Sequence, residues 1–124
     1  MNQLQAYQSF WASFGLTAYD ENTVPDDAMS VNNGKYITYE MSDSEFDYPV
    51  ALTASIWYKS YSWAEISQKE LAIARDISRG GKLVPCDGGA IWIKKGSPWA
   101  QRMADSSSDS IRRIILNVEV EFLD

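Results

Sequence analysis

The sequence contains no histidine. That absence removes the commonest general base, the commonest metal ligand, and the Ser-His and Cys-His nucleophile pairs. It contains a single cysteine, Cys86, so no disulfide can form within the chain. No apolar run approaches the roughly 18 residues needed to span a bilayer, so no membrane partner is expected. The opening MNQLQAYQSFW has no basic residue and no small-residue cleavage site, which is not the pattern of a signal peptide. Cations are also short: 11 Lys and Arg stand against 17 Asp and Glu, for a net charge of −6. A protein held to DNA by phosphate contacts is expected to be basic, so general nucleic-acid affinity is not expected. These features predict a soluble protein made in the cytoplasm.

What is present is ordinary globular material. With 124 residues, 45% hydrophobic and 23% charged, the chain fits one domain, 1–124. A body of that length buries roughly two thirds of its unfolded surface and needs no disulfide or metal to fold.

Leu4, Tyr7, Trp11 and Phe14 recur at spacings of three and four, which predicts a helix stopped near Gly15. Residues 17–34 are rich in Asp, Asn, Pro and Gly and predict an irregular loop. Tyr36–Met41 reads as a strand, and Asp43–Asp47 as an acidic connection. After Pro49, Val50, Leu52, Ala54, Ile56 and Tyr58 alternate with Ala51, Thr53, Ser55, Trp57 and Lys59, a strand with one buried face. Ser62-Trp63-Ala64-Glu65 has capping-box spacing and opens a helix whose face is Ile66, Ile73 and Ile77, with Leu71 and Ala74 beside it; Gly80-Gly81 ends it. Lys82–Cys86 and Ala90–Lys95 predict a hairpin about Asp87-Gly88-Gly89. Gly96-Ser97-Pro98 is expected to break the second strand, Trp99–Ala104 to form a turn of helix or a loop, and Asp105–Ser110 a polar connection. The closing strand buries Ile114, Leu116, Val118, Val120 and Phe122. The order is α-β-β-α-β-β-β. It predicts the α+β class, a mainly antiparallel sheet of about five strands with two helices on one face.

Candidate chemistry is sparse. The acids Asp20, Glu21, Asp26 and Asp27 lack the alternating ligands of an EF-hand and read as a solvated loop, so no metal is expected. Glu119 and Glu121 share a strand face and could in principle do acid–base work, but a polar outer face accounts for them without a pocket. Cys86 has no histidine to activate it and reads as a small hydrophobe. The glycines fit neither GxxxxGK[ST] nor GxGxxG. Neither catalysis nor a cofactor is expected. The aromatics point elsewhere: five Trp and seven Tyr exceed the needs of a small core. Trp57, Trp92 and Trp99 are the candidates for an interface, where such residues bury large area at low entropy cost.

Three strings carry a resemblance: Ala51-Leu52-Thr53-Ala54-Ser55-Ile56-Trp57-Tyr58, Ser62-Trp63-Ala64-Glu65-Ile66, and Leu83 through Pro98. With Ile111-Arg112-Arg113 and Glu121-Phe122-Leu123 they resemble the tail-terminator or tail-completion (minor capsid) proteins of long-tailed bacteriophages and prophages. The resemblance implies a small α+β virion protein at the head-proximal end of the tail. It implies a ring, usually a hexamer, that caps the tail tube and later meets the head connector proteins, without catalysis or cofactor. A ring needs heterologous contacts, for which exposed tryptophans and Ser106, Ser107 and Ser108 are candidates. Six copies would carry a formal charge of about −36. Glu119 and Glu121 are then candidate lumen acids, repelling DNA that passes without specific binding. Alternatives are a head-completion or connector protein of the same virion, a small monomeric protein-binding module, and a hydrolase using Glu119 and Glu121.

Overall fold

The computed structural model describes residues 1–103 and 109–124. In chain order the elements are α1 (Gln3–Ala12), β1 (Ala18–Asp20), α2 (Ala28–Val31), β2 (Lys35–Tyr39), β3 (Val50–Lys59), α3 (Ala64–Ile77), β4 (Lys82–Cys86), β5 (Gly89–Met103) and β6 (Ile111–Leu123). The class is α+β, as the alternation of patterns predicts. The strands form one six-stranded sheet in the order β1-β2-β3-β6-β5-β4. Only β1–β2 is parallel; the other pairings are antiparallel.

The period-two pattern sets the inner face. Leu52, Ala54, Ile56 and Tyr58 of β3 lie opposite Val118, Leu116, Ile114 and Arg112 of β6, and all but Arg112 are buried. Ile37 of β2 and Ile91 and Ile93 of β5 extend that face. Onto it pack Ala6, Tyr7, Phe10 and Trp11 of α1 and Ile66, Ile73 and Ile77 of α3. Tyr7 is the hub of an edge-to-face cluster with Trp11, Tyr39 and Phe46, whose ring centroids lie 5.4–6.3 Å from it. The sheet curls enough for α1 to touch β1 at one edge and β4 at the other.

Several expectations are corrected. The sheet has six strands rather than about five, because the stretch read as an irregular loop contains β1 and the short α2. Thr17 O accepts from Ile37 N at 2.9 Å, and a three-residue strand beside an existing edge leaves almost no periodic signal. Gly96-Ser97-Pro98 does not end its strand, and Trp99–Met103 is strand rather than helix or loop. The register between β5 and β6 jumps from Lys95↔Val118 to Ala100↔Leu116, so four residues bulge against one. A bulge is where a strand accommodates glycine and proline. Asn117 Nδ2 donates to Pro98 O at 3.0 Å and holds it in place.

The helix ends also differ. Ser62 Oγ does accept from Ala64 N at 3.0 Å, but the cap position is Trp63, and Glu65 turns outward to Lys35, 2.9 Å away. Helix α3 stops at Ile77, before the glycines, with Ser78 taking φ +64°. Helix α1 stops at Ala12, capped by Ser13, with Gly15 in the turn beyond. Leu71, expected beside the buried face of α3, is 49% exposed. The β4–β5 turn is as expected in kind: Gly88 has φ +81°, while Gly89 needs no such angle. Residues 105–108 of the polar connection, including Ser106, Ser107 and Ser108, lie outside the described residues.

Candidate assembly surfaces

The odd-numbered residues of β3 and β6 form an outer face that neither α1 nor α3 covers. Across β1, β2, β3 and β6 runs a row of Tyr19, Tyr36, Trp57 and Arg113. Tyr19 meets Tyr36 edge to face, Tyr36 stacks on Trp57 with planes 13° apart, and the Arg113 guanidinium sits 4.5 Å from the Trp57 ring. Trp57 Nε1 donates to Thr38 Oγ1 at 2.9 Å and Arg113 Nε to Ser55 Oγ at 3.1 Å. Thr38 and Ser55 are consequently buried on a face that neither α1 nor α3 covers. Long flat side chains lying over short hydroxyl residues keep water off the strands. Burial also raises the Tyr36 phenol above its ordinary pKa, with the nearby Tyr19 adding to the effect and Arg113 opposing it.

The three tryptophans singled out from sequence are all half-buried. Trp57 and Trp92 share the outer face. Trp92 donates from Nε1 to Gly80 O at 2.9 Å and carries the Lys94 ammonium 4.3 Å above its ring. Trp99 turns to the helix side, where its Nε1 donates to Glu70 Oε1. Glu119 and Glu121 also lie on the outer face, opposite Lys94 and Trp92 respectively. The loop acid Asp20 accepts from Asn22 N at 2.9 Å, a local turn. Cys86 is half-buried at the end of β4.

An unpaired strand edge suits a ring contact, but sequence patterning does not say which edge stays open. β4 pairs with β5 only from Gly89 to Ile93. From Lys94 to Met103 the side of β5 facing away from β6 has no strand partner among the described residues. Helix α3 runs alongside. Arg102 Nη2 donates to Ser67 Oγ at 3.2 Å, and Glu70 holds Trp99. Between helix and strand lies an open groove of about 450 Å³ with Leu71, Ala100 and Ile114 in its lining. Arg102, which lines the groove, and Arg112 bring their guanidinium groups to 4.9 and 5.3 Å from the Trp63 ring. No local pattern brings Trp63 and Arg102 together; the packing of α3 alongside β5 does.

No family model matches the chain, and no curated protein matches it in sequence. A chain in the structure described as "Virion of native gene transfer agent (GTA) particle" is similar at 20% identity and a TM-score of 0.49, over 97% of this chain and 88% of that one.

Proposed function

We propose that this chain is a structural protein of a phage-like virion that forms a ring capping the tail tube and joining tail to head. The observation that carries the proposal is a six-stranded sheet left open in two places, on its outer face and along half of β5. Large assembled surfaces use aromatic and arginine side chains that are already held in place. The row Tyr36, Trp57 and Arg113 and the pair Trp63 and Arg102 have that character. The strings that resemble tail-completion proteins fall on β3, the start of α3 and the β4–β5 hairpin, so they border both open surfaces. In this reading the chain works by geometric fit and transforms no molecule. Its partners are further copies of itself, a tail-tube protein and head connector proteins, and DNA passes without specific binding.

The test is a particle lacking this chain. Electron micrographs are expected to show tails of irregular length or unattached to heads. Normal, correctly joined tails would overturn the proposal. Mixing the purified chain with tail-tube protein is expected to give capped tubes of fixed length. Association with the portal side alone would favour a head-completion role.

A further inference from the structure

Charge is distributed unevenly along this sheet. Residues 1–47 carry eight carboxylates and one cation, Lys35. Asp20 ends β1, Glu21 follows it and Glu40 follows β2, so these acids gather at one end of the β1–β2 edge. Burial is the main reason the Tyr7 and Tyr39 phenols are shifted upward, and these carboxylates add to it, Glu40 and Glu21 at Tyr7 and Asp20 at Tyr39. Glu21, Asp26 and Asp27 are exposed beside them. Residues 59–113 carry ten of the eleven cations, against six carboxylates. Lys95 and Arg102 lie on the unpartnered half of β5, with Arg112 at the base of the same hairpin.

We propose that the open edge of β5, Lys94–Met103, receives the acidic β1 edge of a second copy of this chain, so that the sheet continues from one subunit to the next. This inference rests on the assembly reading above and names the surfaces that perform it. An unpaired strand edge presents a row of free N–H and C=O groups and is a template for an added strand. The groove beside it supplies what an added strand needs for its side chains: an apolar floor of Ala100 and Ile114 and a half-exposed Leu71 on the α3 wall. Lys95 and Pro98 on that edge disfavour indiscriminate pairing, since a lysine repels other basic strands and a proline offers no N–H.

The occupant follows from what this chain can offer. Among the described residues its other free edges belong to β4, which brings Lys82 and Pro85, and to β1, which pairs only with β2, ends in Asp20 and is followed by Glu21. Only β1 complements the charge of the β5 edge. The two edges lie on opposite sides of the strand order, so the contact is head-to-tail and each subunit uses both.

The test uses charge reversal at exposed positions. One variant carries Lys95→Glu and Gln101→Glu, and the other Glu21→Lys and Asp26→Lys; all four positions are exposed. Sedimentation at low salt is expected to show that the native chain self-associates and that either variant alone does so on the order of tenfold more weakly or worse. Mixed in equal amounts, the two variants are expected to recover native association, because each altered edge then meets a complementary one. Raising the salt is expected to weaken the native contact. If both variants associate as tightly as the native chain, the edge assignment is overturned while ring assembly stands. If the native chain sediments as a monomer at every concentration, or if the mixture fails to recover association while both variants keep native circular dichroism, the inference is likewise overturned. The virion reading is then judged separately, on particles.

Discussion

On the inner face of the sheet, Leu52, Ala54, Ile56, Leu116 and Val118 are buried beneath α1 and α3. On the outer face, the residues alternating with them are Thr53, Ser55, Trp57, Ile115 and Asn117, and most are only half-buried. Both faces are closely contacted, yet by different means. The inner face excludes water with whole helices. The outer face does so with its own side chains, Trp57 lying over Thr38 and Arg113 reaching Ser55. A face built the second way keeps hydrogen-bonding atoms and aromatic surface near solvent, and those remain available to a partner. The same contrast recurs along β5. Its first five residues are flanked by β4, whereas the remainder has, among the described residues, a strand on one side only.

The sharpest way to break this comparison is to truncate one side chain on each face. Leu116→Ala, at a fully buried position, is expected to cost about 2–5 kcal/mol in urea denaturation. Trp57→Ala removes a larger side chain from the outer face. Even so it is expected to cost less, about 1–2 kcal/mol, from lost stacking and cation–π contact. If Trp57→Ala costs as much as Leu116→Ala, the outer face is a second core rather than a surface.

The β4–β5 turn probes the supported half of β5. Gly88→Val places a β-branched residue at φ +81° and is expected to cost about 1–2 kcal/mol by thermal melting. No loss of stability would show that the hairpin relaxes freely.

The inner face also leaves a signature in pH. Burial holds the Tyr7 phenol well above its ordinary pKa of about 10. Its neutral form is favoured in the folded state, so its contribution to stability is complete below pH 10 and is lost as pH rises above it. Tyr39 and Tyr58 are shifted the same way by burial. Tyr7→Phe is expected to flatten the alkaline fall in melting temperature, and an unchanged slope would show that Tyr7 is not the group responsible.

The smallest expected effect is at the open edge. Lys95→Glu, at an exposed position, is expected to change stability by less than about 0.5 kcal/mol while still weakening self-association. A large drop in melting temperature would mean that the edge is part of the fold rather than a docking surface.

Much of this architecture was legible in the residues. The alternation Val50–Lys59 assigned each β3 side chain to its face, and the heptad-like spacing of Ile66, Ile73 and Ile77 found the buried side of α3. Asp87-Gly88 announced a turn because φ near +81° is costly for other residues. The bulge at Gly96–Pro98 was illegible for a physical reason. Gly and Pro end an isolated strand, but β6 supplies a second strand against which β5 resumes register at Ala100. Likewise Ala18–Asp20 forms a strand only because β2 already exists beside it.

The sequence by itself determined which side chains must leave water, how the long strands alternate, and that catalysis needing histidine is out of reach. Only the tertiary structure decided which surfaces stay open. β4 is too short to cover β5, α3 lies beside that strand, and Asp20 and Glu21 sit at the β1 edge while Lys95 and Arg102 sit on β5. These outcomes depend on pairings between distant segments, and local periodicity carries no record of which segments meet.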